Sequence, residues 1–180
     1  VGDALMNVLE NLTNLDGTAP LFDIGDASIA SVLKHEGVLT LGANEASFLS
    51  MKKNDSHFVV EINQSLHTPL VIDCDFSEPL FIVTKNDVHA HVLIRERSLG
   101  QRKISVATGA HLYLYCVAET NTKILQNKSS IDIEVFQSGQ LQLFSLDIGE
   151  QNYERIINVE LLGQDASVSY FGLDQLHSAA

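Results

Sequence analysis

The chain has no tryptophan, three prolines and two cysteines. The cysteines, Cys74 and Cys116, lie far apart and show neither CxxC nor CxxH spacing, so no zinc-ribbon or dithiol redox motif is written here. A single disulfide is open to them by count. Nothing else points outside the cell, and the expectation is a reducing compartment with both thiols free. Bases are scarce as well: 11 Lys and Arg face 23 Asp and Glu, for a net charge of -12. Affinity for nucleic acid comes largely from clustered Lys and Arg, so this balance argues against such a partner. No apolar run approaches the roughly 18 residues needed to cross a bilayer. No basic stretch followed by an apolar one opens the chain, so nothing suggests secretion, and no membrane partner is expected. The opening residue is Val1 rather than Met, which reads as processing or trimming from something longer.

Catalytic signatures are missing too. There is no GxSxG elbow, no GxxxxGK[ST] phosphate loop, no HExxH and no GxGxxG. The expectation is a protein that is not an enzyme. What remains is an ordinary globular composition, with 45% hydrophobic and 19% charged residues over 180 positions. That length makes one domain and can bury a real core.

The first 37 residues read as helical. Leu5, Val8, Leu9, Leu12 and Leu15 recur at helical spacing, with Asp3 placed to cap and Gly17 to stop. Asp26 to Glu36 reads as a second, shorter helix. From Val38 the period changes to two, and a boundary falls near Gly37 to Gly42. Strands are expected at Val38–Leu41, Ser47–Met51, His57–Ile62, Leu70–Asp73 and Leu80–Thr84, with a polar hairpin turn at Lys52-Lys53-Asn54-Asp55. Pro69 and Pro79 lead two of them, a position where a strand tolerates proline.

One phrase then occurs four times: a small residue followed by an alternating strand. Its leads are Asn86, Ala110, Gly139 and Ala166, spaced 24, 29 and 27 residues apart. A repeat of that length with one strand phrase in each points to stacked rungs. Side chains alternate along a strand, so Val88, Leu112, Leu141 and Val168 form one row, with Ala90, Leu114, Leu143 and Tyr170 beyond them. This more uniformly apolar set is assigned to the inside. The opposite face carries His89, Tyr113, Gln142 and Ser169, then His91, Tyr115, Phe144 and Phe171. The expected fold is a mainly β, right-handed parallel β-helix with a short helical N-terminal segment, residues 1–37 and 38–180 respectively. A β-sandwich shares the alternation.

Candidate chemistry is sparse. Asp73 with Asp75, and Asp132 with Glu134, are pairs that share a strand face. They suit acid/base work or a hard cation, but more often such pairs form a solvated face. His89, His91 and His111 are the most interesting polar group, since imidazole suits iron, zinc and copper. The alternative is surface histidine at an edge. Cys116 falls on the inner row as a small buried hydrophobe. Cys74, between Asp73 and Asp75, is expected to be blunted as a nucleophile. The candidate metal residues are therefore His89, His91, Cys74 and Cys116. The aromatic row His91, Tyr115, Phe144 and Phe171 reads as a candidate interface, unless the N-terminal helices cover it.

Several stretches carry a family resemblance. Ser77 to Val92, with its proline-led strand before a small-residue turn, resembles a rung of the SufB/SufD family. Thr108 to Tyr115 resembles that family's next phrase. Arg155-Ile156-Ile157-Asn158-Val159-Glu160-Leu161-Leu162-Gly163-Gln164-Asp165-Ala166, followed by Phe171-Gly172-Leu173, is similar to the family pattern R-N-x-x-x-V-x-L-x-G-x-x-A with a later G-L. Asn158 stands three residues after the arginine instead of beside it. Gly37-Val38-Leu39 resembles the family's D-G-V-F-I, with Glu36 for Asp. About half the chain is covered well, and the lack of a cysteine-rich segment favours the SufD side.

The resemblance implies a right-handed parallel β-helix serving in the SUF iron–sulfur cluster assembly scaffold. Implied partners are a SufC-type ATPase and a SufB-type subunit, with the cluster belonging to the assembled complex and no cofactor on this chain alone. It also implies that the chain holds the helical piece and the first half of the β-helix, with partner-binding segments beyond Ala180. Arg155, Gly163 and Gly172 are the motif positions, and Arg155 is expected to pair structurally with a neighbouring-rung carbonyl or acid. The compartment implied is cytoplasmic, or a plastid where the source has one. Two other readings stay open: a polysaccharide-active β-helix enzyme using acids on one outer face, and a structural solenoid that forms a homodimer through its open edge.

Overall fold

The computed structural model describes residues 49–53, 56–66, 70–74, 78–96, 100–120, 128–149 and 154–176. The expected helices over 1–15 and 26–36, the strand at Val38–Leu41 and the boundary near Gly37 lie outside the described residues. Every regular element among the described residues is a strand. In chain order they are β1 Leu49–Lys53, β2 Phe58–Ile62, β3 Leu70–Cys74, β4 Leu80–Thr84, β5 His89–Glu96, β6 Gln101–Val106, β7 His111–Thr120, β8 Lys128–Val135, β9 Gln140–Gly149, β10 Glu154–Leu161 and β11 Ser167–Leu176. No helix in this part is long and apolar enough to cross a membrane.

Two sheets are built by alternate strands. One runs β1-β2-β4-β6-β8-β10 and the other β11-β9-β7-β5-β3. Apart from β1, which pairs antiparallel with β2, every pairing is parallel. Chain that visits each sheet once per turn and stacks in parallel is a β-solenoid, here of about four turns. The parallel β-helix expected from the repeated phrase is therefore the fold, with two strands per turn instead of one. β6, β8 and β10, which the phrase did not mark, extend the first of these sheets.

A repeated corner sets the register. Asp87, Gly109, Ser138 and Asp165 all have positive φ, between 54° and 68°. They occupy the same place in successive turns: the Asp87 N–H donates to Thr108 O, that of Gly109 to Gln137 O, and that of Ser138 to Gln164 O, all at 2.9–3.0 Å. Left-handed backbone suits Gly, Asn and Asp best. The true leads are thus the residues just after these, Val88, Ala110, Gly139 and Ala166. This moves the first phrase by two residues: Ala90, not Val88, pairs with Leu112, and His91 pairs with Tyr113. A shift of two preserves the faces, so the inside and outside assignments stand.

Inside, the two sheets bury one continuous apolar cluster. It includes Val60, Ile82, Ile104 and Ile133 from the first sheet and Leu70, Val92, Leu114 and Leu143 from the second. At the β1 end the inward side chains of Phe58, Val60, Ile62 and Leu70 are at most 1% exposed. At the opposite end β10 and β11 are the last strands of their sheets. There the inward-facing Val159, Leu161 and Tyr170 are 45%, 53% and 50% exposed.

Candidate functional site

Three places gather chemistry: a polar corner inside the solenoid, the outer face of the second sheet, and the open last turn.

The polar corner is unexpected. Glu96 lies on an inward position of β5, beside Cys74 and Ala118 in register, and Asp147 follows Ala118 on β9. Arg102 takes the inward position between Leu80 and Ile131. Arg102 and Glu96 are each 1% exposed, and Arg102 Nε stands 3.3 Å from Glu96 Oε1. Arg155 Nη2 donates to Glu96 Oε2 at 2.8 Å and to Asp147 Oδ1 at 2.9 Å. Two cations thus face two anions, which is the condition for burying such charges at all. Burial alone works against the Arg155 charge, but the facing carboxylates, Glu96 foremost, outweigh it and raise the guanidinium pKa.

The cysteines are near this corner. Both point inward, Cys74 wholly buried and Cys116 1% exposed. Burial pushes the Cys116 thiol far up, with the Glu96 charge adding to it. A thiol held protonated is neither a nucleophile nor a metal ligand. The arrangement gives Cys116 the part of a small hydrophobe.

On the outer face of the second sheet, side chains stack in columns along the solenoid. Leu93, Tyr115, Phe144 and Phe171 follow one another in register. The rings of Tyr115 and Phe144 are 5.0 Å apart at 12°, and those of Phe144 and Phe171 are 5.1 Å apart at 13°. His91 belongs to the neighbouring column, flat on Tyr113 at 4.4 Å and 4°, with its ring 6.3 Å from Tyr115. Val71, Leu93, Tyr115 and Val117 are at most 7% exposed although they point outward. Phe171, at the open end, is 46% exposed. Burial lowers the His91 pKa and raises that of Tyr115. Of the candidate interface residues, His91 and Phe171 are exposed, Phe144 is half-buried and Tyr115 is buried.

The next column begins with His89 and His111, opposite each other in register, with ring centroids 4.4 Å apart and tilted 40°. His111 is followed by Gln140. Among the described residues no group of three or more His, Cys, Asp or Glu side chains converges on one point. The four candidate metal residues are not brought together: Cys74 and Cys116 face inward, His89 and His91 outward.

The acid pairs divide. Asp73 is in β3 and Asp75 lies outside the described residues. Asp132 and Glu134 share the outer face of β8 and are engaged there. Asp132 accepts from Asn158 Nδ2 at 2.7 Å and from Gln101 Nε2 at 3.0 Å, which holds its carboxyl below the usual range. Glu134 meets Lys103 Nζ at 2.7 Å. These are polar ladders between turns, with each acid committed to its neighbours.

Of the motif glycines, Gly163 lies at a corner where a Cβ would meet the Gln137 backbone at 2.6 Å. Close stacking of one turn on the next requires glycine there. A Cβ at Gly172 would meet the Tyr170 hydroxyl at 2.5 Å, the far end of a side chain that can move. Missed by sequence reasoning were Glu96, Arg102 and Asp147. Their one signal was opposite charge at inward positions of alternating strands.

No family model, no curated protein and no solved structure matches the chain.

Proposed function

We propose that this chain is a non-catalytic subunit of the SUF iron–sulfur cluster assembly scaffold, on the SufD side of the SufB/SufD family. The observation that carries the reading is the fold. The motif resemblance implied a parallel β-helix, and the described residues form a parallel β-solenoid. Two motif positions have places that suit such a frame, Arg155 in the polar corner and Gly163 at a tight corner between turns. In this reading the solenoid is a rigid frame, the iron–sulfur cluster belongs to the assembled complex, and the working partners are a SufC-type ATPase and a SufB-type subunit. Pull-down with the SufC-type ATPase from the same source tests it, using this chain and a version extended past Ala180. Binding by the extended version alone is expected. Failure of both overturns the assembly role and leaves the solenoid.

A second reading is favoured by the open last turn. Ile156, Val159, Leu161, Leu162, Tyr170, Phe171 and Leu173 are all more than 40% exposed, at the end where two edge strands are unpaired among the described residues. Unpaired edges beside apolar surface associate. In this reading the chain is a structural solenoid that forms a homodimer through that end. Light scattering over a concentration series distinguishes the two, because a monomer at high concentration removes the second.

A further inference from the structure

We propose that His89 and His111 form a two-imidazole site for a late first-row divalent metal ion, such as zinc or copper, on the outer face of the second sheet. The site rests on backbone register. His89 on β5 and His111 on β7 are direct partners in a parallel pairing, so both side chains leave the same face one strand spacing apart. Their ring centroids are 4.4 Å apart with a 40° tilt. Two nitrogens bound to one ion at 2.0–2.1 Å lie roughly 3 Å apart at a near-tetrahedral angle. His89 is exposed and His111 half-buried, so both rings are free to turn about their side-chain torsions and bring one nitrogen of each to that separation.

The strand anchors of the pair are fixed. The His111 N–H donates to Val88 O at 2.8 Å, and the His89 N–H donates to the Ser65 hydroxyl at 2.9 Å. The ion therefore meets two held attachment points. A net charge of -12 raises the local concentration of any cation. Imidazole selects zinc, copper or nickel over magnesium or calcium, which take oxygen ligands. No third His, Cys, Asp or Glu among the described residues converges on the pair, so the proposed site is defined by these two imidazoles alone.

The measurement is calorimetric titration of the chain with zinc, and separately with magnesium. Variants are His89→Gln, His111→Gln and, as a control on the other sheet, His57→Gln. Saturable zinc uptake at one ion per chain is expected, with none for magnesium. Removal of a mere outer-shell partner weakens metal binding by about 10–100-fold, so loss of either imidazole is expected to weaken it at least about tenfold. His57→Gln leaves it unchanged. If zinc uptake is missing, or persists unaltered in both the His89 and His111 variants, the proposal is overturned. Should those variants not fold, the intact chain still decides. Substoichiometric copper broadens the ring resonances of His89 and His111 before that of His57 if the site is real, and broadens them together if it is not. None of these results depends on whether the SufC-type ATPase is bound.

Discussion

Arg155 shows how much one side chain controls here. It joins Glu96 and Asp147 inside the solenoid, 59 and 8 residues away in sequence. Arg155→Leu leaves Asp147 without this cation and Glu96 with Arg102. Breaking a buried pair by removing one partner costs about 3–5 kcal/mol, so a clear drop in the urea midpoint is expected, with a smaller one for Arg155→Lys, which keeps the charge. His91 gives the acid side of the stability profile. Its pKa is lowered by burial, so the unfolded chain binds the extra proton. Stability is then fully present above the ordinary histidine value and declines as pH falls through it toward the folded value. Replacing His91 with Phe, which stacks on Tyr113 without titrating, is expected to flatten that part of a pH series of melting curves. At Gly109, φ is 68° and an added Cβ would run into the Asp87 carboxylate. Gly109→Val is expected to lose about 1–3 kcal/mol, and Gly109→Asn clearly less, as read by chemical denaturation.

Among the elements, legibility followed local consistency. β4 reads directly from Leu80 to Thr84, because Leu80-Phe81-Ile82-Val83 is a short apolar run rich in β-formers and Pro79 marks its start. β7, β9 and β11 reveal themselves by inward rows of aliphatic residues. The first phrase slipped by two because Asn86 and Asp87 are both turn formers, and only Asp87 takes the left-handed conformation. β6 and β10 escaped for a different reason. Each carries an arginine at an inward position, Arg102 and Arg155, where the strand rule asks for an apolar residue. A local rule was overridden by ion pairs formed with distant strands, and no window of one strand contains that information. The outer aromatic column makes its own prediction. Tyr115 is 7% exposed and stacks on Phe144. Tyr115→Ala removes a buried ring, at about 3–5 kcal/mol, whereas Phe171→Ala at the open end is expected to shift the urea midpoint much less.

For the whole molecule, the asymmetry between the two ends matters most. β1 ends the parallel stacking by pairing antiparallel, and the inward residues nearby are buried. The far end presents apolar inward residues and two strand edges. In the proposed homodimer, association is directed to that end. Leu161→Lys together with Tyr170→Lys is expected to leave the melting temperature almost unchanged and to abolish any concentration-dependent scattering.

From β4 onward the two sides of each turn also differ in how they keep length. There the connections from the first sheet to the second are four, four, four and five residues long, at 85–88, 107–110, 136–139 and 162–166, while the earlier one, β2–β3, is seven, at 63–69. On the other side β5–β6, β7–β8 and β9–β10 are joined by four, seven and four residues, at 97–100, 121–127 and 150–153. The corners at 85–88, 107–110 and 136–139 are each tied to the next turn by a backbone hydrogen bond, which resists a change in their length. For a new segment, tag or grafted loop, the seven-residue connection at 121–127 is the natural place, and the tied corners at 85–88, 107–110 and 136–139 are the ones to leave alone.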